Sequence, residues 1–120
     1  LDIIALSNKL LSQYGYCNWK VEFDSSNAFA GKTIYSSNTL VFAECLKNMN
    51  DNIIKDVVIH EIAHVRAGEF VESHGKYWRS LAVSMGGTGN RRISETIKKI
   101  FKNIVRRINI NCIRIIECFK

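Results

Sequence analysis

Between Asn50 and Gly68 the chain reads NDNIIKDVVIHEIAHVRAG, and this stretch limits the fold more than any other. Wound at 3.6 residues per turn, Ile54, Val57, Val58, Ile62 and Val65 cover much of the helix circumference. A helix that is apolar over most of its surface belongs in the middle of a domain, with other elements wrapped around it. Asp51 is the expected N-cap, and Gly68 the residue just past the end.

The rest of the chain has to supply the cover. LDIIALSNKLLSQYG reads as an opening helix with Ile3, Leu6, Leu10 and Tyr14 on one face and Gly15 at its end. WKVEF alternates Trp19, Val21 and Phe23 with Lys20 and Glu22, the pattern of a half-buried strand. KTIYS and TLVFA are two further strands, joined around Ser36, Ser37 and Asn38. After the central helix, GKYWRSLAVSMGG predicts a short helix with Trp78, Leu81, Ala82 and Met85 facing inward. A last periodic stretch, RRISETIKKIFKNIVRRINI, places Ile93, Ile97, Ile104 and Ile108 opposite Lys98, Lys99, Lys102, Arg106 and Arg107. The fold class expected is α+β: one domain with an N-terminal helix, a small, mainly antiparallel three-stranded sheet, a buried central helix and further helices C-terminal to it.

The charge is divided along the chain. Residues 1–90 carry 8 Lys and Arg against 9 Asp and Glu, whereas residues 91–120 carry 9 against 2, which accounts for the formal net charge of +6. A basic C-terminal segment of this kind fits a contact with nucleic acid or another acidic surface, and equally a solvated helix face. The four cysteines (Cys17, Cys45, Cys112 and Cys118) form no C-x-x-C pair, so a zinc ribbon and a dithiol redox motif are both excluded within these residues. Irregular cysteine spacing and no visible leader favour an intracellular, reducing compartment. No apolar run reaches the length of a membrane span.

All three histidines fall within fifteen positions, and two of them lie on the central helix. His60 and His64 are one turn apart on one face and can direct two imidazoles at one ion. Glu61 is turned about 100° from His60, so it can reach a water at that ion without ligating it. This is the H-E-x-x-H arrangement, in which two histidines bind zinc and the glutamate is general base; the competing reading is a hydrogen-bonded pair of core histidines. A catalytic zinc takes three protein ligands and keeps a fourth position open. His74, in a loop after Gly68, is the candidate third ligand, with Glu69 and Glu72 as alternatives. Asp56, one turn before His60, is either an orienting partner for its ring or a charge favoured by the helix dipole. Tyr77 is a candidate oxyanion donor, while Trp19 and Trp78 read as core.

Nine residues separate His64 from His74, and H-G-x-x-W follows at His74–Trp78 (HGKYW). Metzincins place a histidine six residues after the second, where this chain has Phe70. The spacing found here resembles the SprT-like family, which includes the Spartan proteases. YGYCNWKVEFD, AFAGKTIYSSNTLVFA, DVVIHEIAH and HGKYWRSLAVSMGG all look like segments of that family, over roughly Leu6 to Arg92. The resemblance implies a zincin-like metallopeptidase domain over residues 1–92, one zinc ion on His60, His64 and His74, and Glu61 as general base toward a peptide bond. Residues 93–120 depart from it: a basic amphipathic helix and tail stand where many relatives carry a four-cysteine zinc ribbon. Spartan-type relatives cut proteins bound to DNA, and Lys98, Lys99, Lys102, Arg106 and Arg107 are compatible with phosphate contacts in such a role. The non-enzymatic alternative is a zinc-containing DNA-binding or regulatory module, whose closed site would need a fourth ligand such as Cys17 or Cys45.

Overall fold

The computed structural model describes residues 1–25, 29–97 and 99. Helix α1 spans Ile3–Gln13 and starts at Asp2, whose Oδ1 accepts from the Ala5 N–H at 3.1 Å. Its innermost row is Ile3, Ser7 and Leu11, with Leu6, Leu10 and Tyr14 packed at the side. The helix is thus rotated from the face that its large apolar residues predict. The small Ser7 side chain sits innermost, and the bulkier Leu6, Leu10 and Tyr14 flank the contact.

Strands β1 (Lys20–Asp24), β2 (Gly31–Ile34) and β3 (Thr39–Ala43) form one sheet in the order β1-β3-β2. All five residues of β3 are buried, as the central position demands. The β2–β3 pair is antiparallel with Thr33 opposite Leu40, but β1 runs parallel to β3 with Val21 beside Leu40. The sheet is therefore mixed, where a mainly antiparallel one was expected. Strand β1 lies on the far side of β3 from β2, so its direction is set by the crossover that follows it and not by a tight turn. Strand β2 is also shorter than KTIYS suggests. It stops at Ile34, and Tyr35–Ser37 form a 3₁₀ turn closed by Asn38 at φ 49°. That turn sends the Tyr35 hydroxyl to the central helix.

The central helix α2 runs Asp51–Ala67. Its N-cap is Asn50, whose Oδ1 accepts from the Ile53 N–H at 3.0 Å, and not Asp51, which is the first helical residue. Both residue types can cap; Asn50 precedes the first turn, and Asp51 keeps a favourable place beside the positive end of the helix dipole. Gly68 ends the helix at φ 86°, a conformation that glycine adopts without strain, and its N–H meets the His64 carbonyl at 3.0 Å. Every residue from Val57 to Ala63 is buried, polar ones included. Helix α2 packs against α1, the β2 side of the sheet and α3 (Lys76–Ser84).

Trp78 and Ala82 of α3 form a second cluster with Ile59 and Ala63 of α2. Gly87 lets the chain pass close behind them, since a Cβ there would lie 2.8 Å from Ile59 Cγ2 and 3.0 Å from the Ala82 carbonyl oxygen. Residues 93–97 are helical, and Ile93 and Ile97 join the main core with Ile3, Leu11, Phe42 and Ile54. No helix among the described residues is long and apolar enough to cross a membrane.

Candidate metal centre

Helix α2 carries His60 and His64 one turn apart, and the loop after Gly68 brings His74 back to them. The Nε2 atom of His74 lies 3.0 Å from Nε2 of His60 and 2.9 Å from Nε2 of His64. His74 Nε2 carries either one proton or one lone pair, so it cannot form two well-aligned hydrogen bonds at once. Four ligands at the usual zinc–nitrogen distance of about 2.0–2.1 Å stand roughly 3.3 Å apart, close to the spacing seen. The three imidazoles therefore fit a shared cation better than they fit one another, and they form a group able to hold a metal ion. Glu69 and Glu72, the alternative third ligands, line a neighbouring cavity and do not join that group.

The loop pays a conformational cost to deliver His74, which sits at φ 58°. Trp78 supplies the back wall. Its ring centroid is 4.7 Å from those of His60 and His74 and 5.4 Å from that of His64, and its Nε1–H donates to the His60 carbonyl at 3.2 Å. Trp78 is thus core, as expected, and also the wall that orients all three rings.

Burial holds His60 down to about 4, helped by repulsion from His74 and opposed by a backbone hydrogen bond at Asn90. Burial also lowers His64 to about 3, with His60 and His74 adding to it. His74 is lowered by burial and then by the charge of Arg91. All three rings are thus neutral near pH 7, the state a metal ligand requires.

Glu61 is 4 % exposed, and burial pushes its carboxyl up to about 7, against the pull of the Thr33 hydroxyl. Thr33 Oγ1 donates to Oε1 at 2.9 Å, while Oε2 lies 3.8 Å from His60 Nε2. With His60 neutral, that short separation is not an ion pair. Gly31 stands over the carboxylate: a Cβ there would lie 2.9 Å from Glu61 Cγ and 3.2 Å from Oε2. Gly31→Ala should therefore displace Glu61 without touching the histidines. Metal content measured by elemental analysis should match the parent, and if Glu61 is the general base that the H-E-x-x-H pattern suggests, turnover should fall roughly tenfold to a hundredfold.

Several sequence readings change here. Asp56 does not reach the His60 ring; its carboxylate accepts from Thr88 N–H at 2.8 Å and Thr88 Oγ1 at 2.7 Å. It ties down the segment whose Asn90 serves His60, so its influence on that ring is indirect. Tyr77 is exposed on α3, and the tyrosine that lines the cavity beside His64 is Tyr35, whose hydroxyl donates to the His64 carbonyl at 2.9 Å. Burial and the charges of Glu61 and Glu69 raise Tyr35 above the usual phenol range, which keeps it a donor. Gly31, Thr33 and Tyr35 carried no spacing signal of their own; only the period of two along β2 marks Gly31 and Thr33 as sharing a face. Cys45 is buried in the main core and Cys17 is exposed, and neither belongs to the histidine group. Of the basic residues, Lys99 is helical and exposed, while Lys98, Lys102, Arg106 and Arg107 lie outside the described residues.

The model of the SprT-like family matches residues 3–110. The chain belongs to the SprT-like family. No curated protein and no solved structure matches it significantly. The SprT-like match runs past Arg92, through Ile93 and Ile97, which the structure places in the same core as α1 and β3. Family membership points to a metallopeptidase-type domain, in agreement with three histidines gathered where a metal ion could sit.

Proposed function

We propose that the protein is a zinc-dependent metalloendopeptidase of zincin-like type, with His60, His64 and His74 holding one zinc ion and Glu61 acting as general base. The observation that carries this reading is the meeting of three neutral Nε2 atoms beside a carboxylate that the fold keeps buried and poised near neutral pH. An all-imidazole donor set suits zinc, and three protein ligands leave one position for solvent or substrate. When bound, the ion lowers the pKa of water and polarises a carbonyl oxygen.

The protein groups do the rest. Thr33 fixes Glu61 Oε1, which leaves Oε2 turned toward His60 and able to take a proton from the attacking water. The same oxygen can then hand that proton to the departing amine nitrogen. Trp78 fills the space behind the three rings and excludes water there. The closed structural site of a purely binding module would need a fourth side-chain ligand, and among the described residues no cysteine or carboxylate joins the three histidines. Substrates bound to DNA are part of the proposal. Lys98, Lys99, Lys102, Arg106 and Arg107 supply the phosphate-binding charge, and affinity through them would fall with salt.

Metal removal tests the reading. Casein should be cleaved by the zinc-loaded protein, left intact after chelation, and cleaved again when zinc is returned. Equal cleavage with and without metal would refute it.

A further inference from the structure

Among the described residues β2 is an edge strand, paired with β3 on one side only. The 2.9 Å bond from Ala43 N–H to the Ala30 carbonyl makes residues 30 and 43 a hydrogen-bonded pair. In the register of this ladder Lys32 and Val41 are the next such pair, so the main-chain groups of Gly31 and Thr33 turn away from β3. An extended peptide can add to them as a further strand.

That edge joins two cavities of unlike charge. Gly31 lines one of about 320 Å³ together with His60, Glu61, His74, Arg91 and Arg92. Thr33 and Tyr35 line the other, of about 170 Å³, with Glu69 and Glu72. His64 borders both. Antiparallel pairing is the more stable arrangement, and a peptide antiparallel to β2 runs from the Tyr35 end to the Gly31 end. Its residues after the scissile bond then enter the cavity of Arg91 and Arg92. Arg91 and Arg92 are both exposed residues, and neither is in a salt bridge with a described residue. Glu95 also lines that cavity, and with the buried Glu61 it is the opposing charge.

Resting on the peptidase reading, we infer that Arg91 and Arg92 make the site selective for peptides with a carboxylate side chain directly after the cleaved bond. They are specificity-determining residues: they meet the substrate side chain and leave the reacting atoms to Glu61 and the histidines. The acidic second cavity works in the same direction, since it disfavours a carboxylate before the bond.

The test uses quenched-fluorescence peptides that are identical except for Glu, Gln or Lys after the cleaved bond. A fourth peptide carries the Glu before it. The zinc-loaded protein should cut the first Glu peptide roughly fivefold faster in kcat/KM than the Gln peptide, with Lys slower again. In the double variant Arg91→Gln/Arg92→Gln the Glu-to-Lys ratio should collapse toward one, with zinc content unchanged. The zinc-loaded Glu61→Gln protein should bind the three peptides in the same order by calorimetry. Cleavage and binding of all three alike would overturn the selectivity and leave the peptidase reading standing. Ordered binding with no cleavage by the parent would do the opposite, and preference for the fourth peptide would reverse the assigned direction.

Discussion

Glu61→Gln should keep its zinc and lose cleavage by roughly a thousandfold, within the range that a general base contributes. The side chains have the same shape, and the Thr33 hydroxyl can still donate to the remaining oxygen at the Oε1 position. What disappears is an oxygen able to accept a proton at the Oε2 position. Because burial already disfavours a charge there, the neutral amide should fold at least as well as the carboxylate. The measurements are zinc per chain by elemental analysis, thermal unfolding, and casein cleavage. Cleavage equal to the parent's would remove Glu61 from the chemistry.

His74→Ala should weaken zinc binding by more than roughly a hundredfold, since even losing a partner that only orients a ligand costs ten- to a hundredfold. The fold should survive. His74 sits in a loop and is only part-buried, so its side chain contributes little packing to the core. Competition with a fluorescent zinc chelator gives the affinity, and circular dichroism of the metal-free protein reports the fold. Parent-like affinity would transfer the third ligand to Glu69 or Glu72, which lie in the adjoining loop.

The parts of this site that share one helix were legible in the sequence. His60 and His64 are related by helical period alone, and the apolar surround of α2 announces its burial. His74 was legible by elimination and spacing, because no other histidine exists. The support around them was not. Thr33 and Gly31 meet Glu61 only because β2 lies at the sheet edge over α2, a result of the order β1-β3-β2. The sequence shows three strands in succession but does not encode that the first crosses over to run parallel with the third. Asp56 shows the same limit. Its position one turn before His60 invites a ring contact, yet Thr88 offers two donors at once, and a carboxylate takes the better-satisfied arrangement.

X-ray absorption at the zinc edge of the loaded protein addresses the metal centre most directly. Three imidazole ligands and one solvent ligand are expected, with no sulfur. A sulfur ligand, or a fourth protein ligand of any kind, would mean a closed structural site and would contradict the assignment of His60, His64 and His74 as an open catalytic centre.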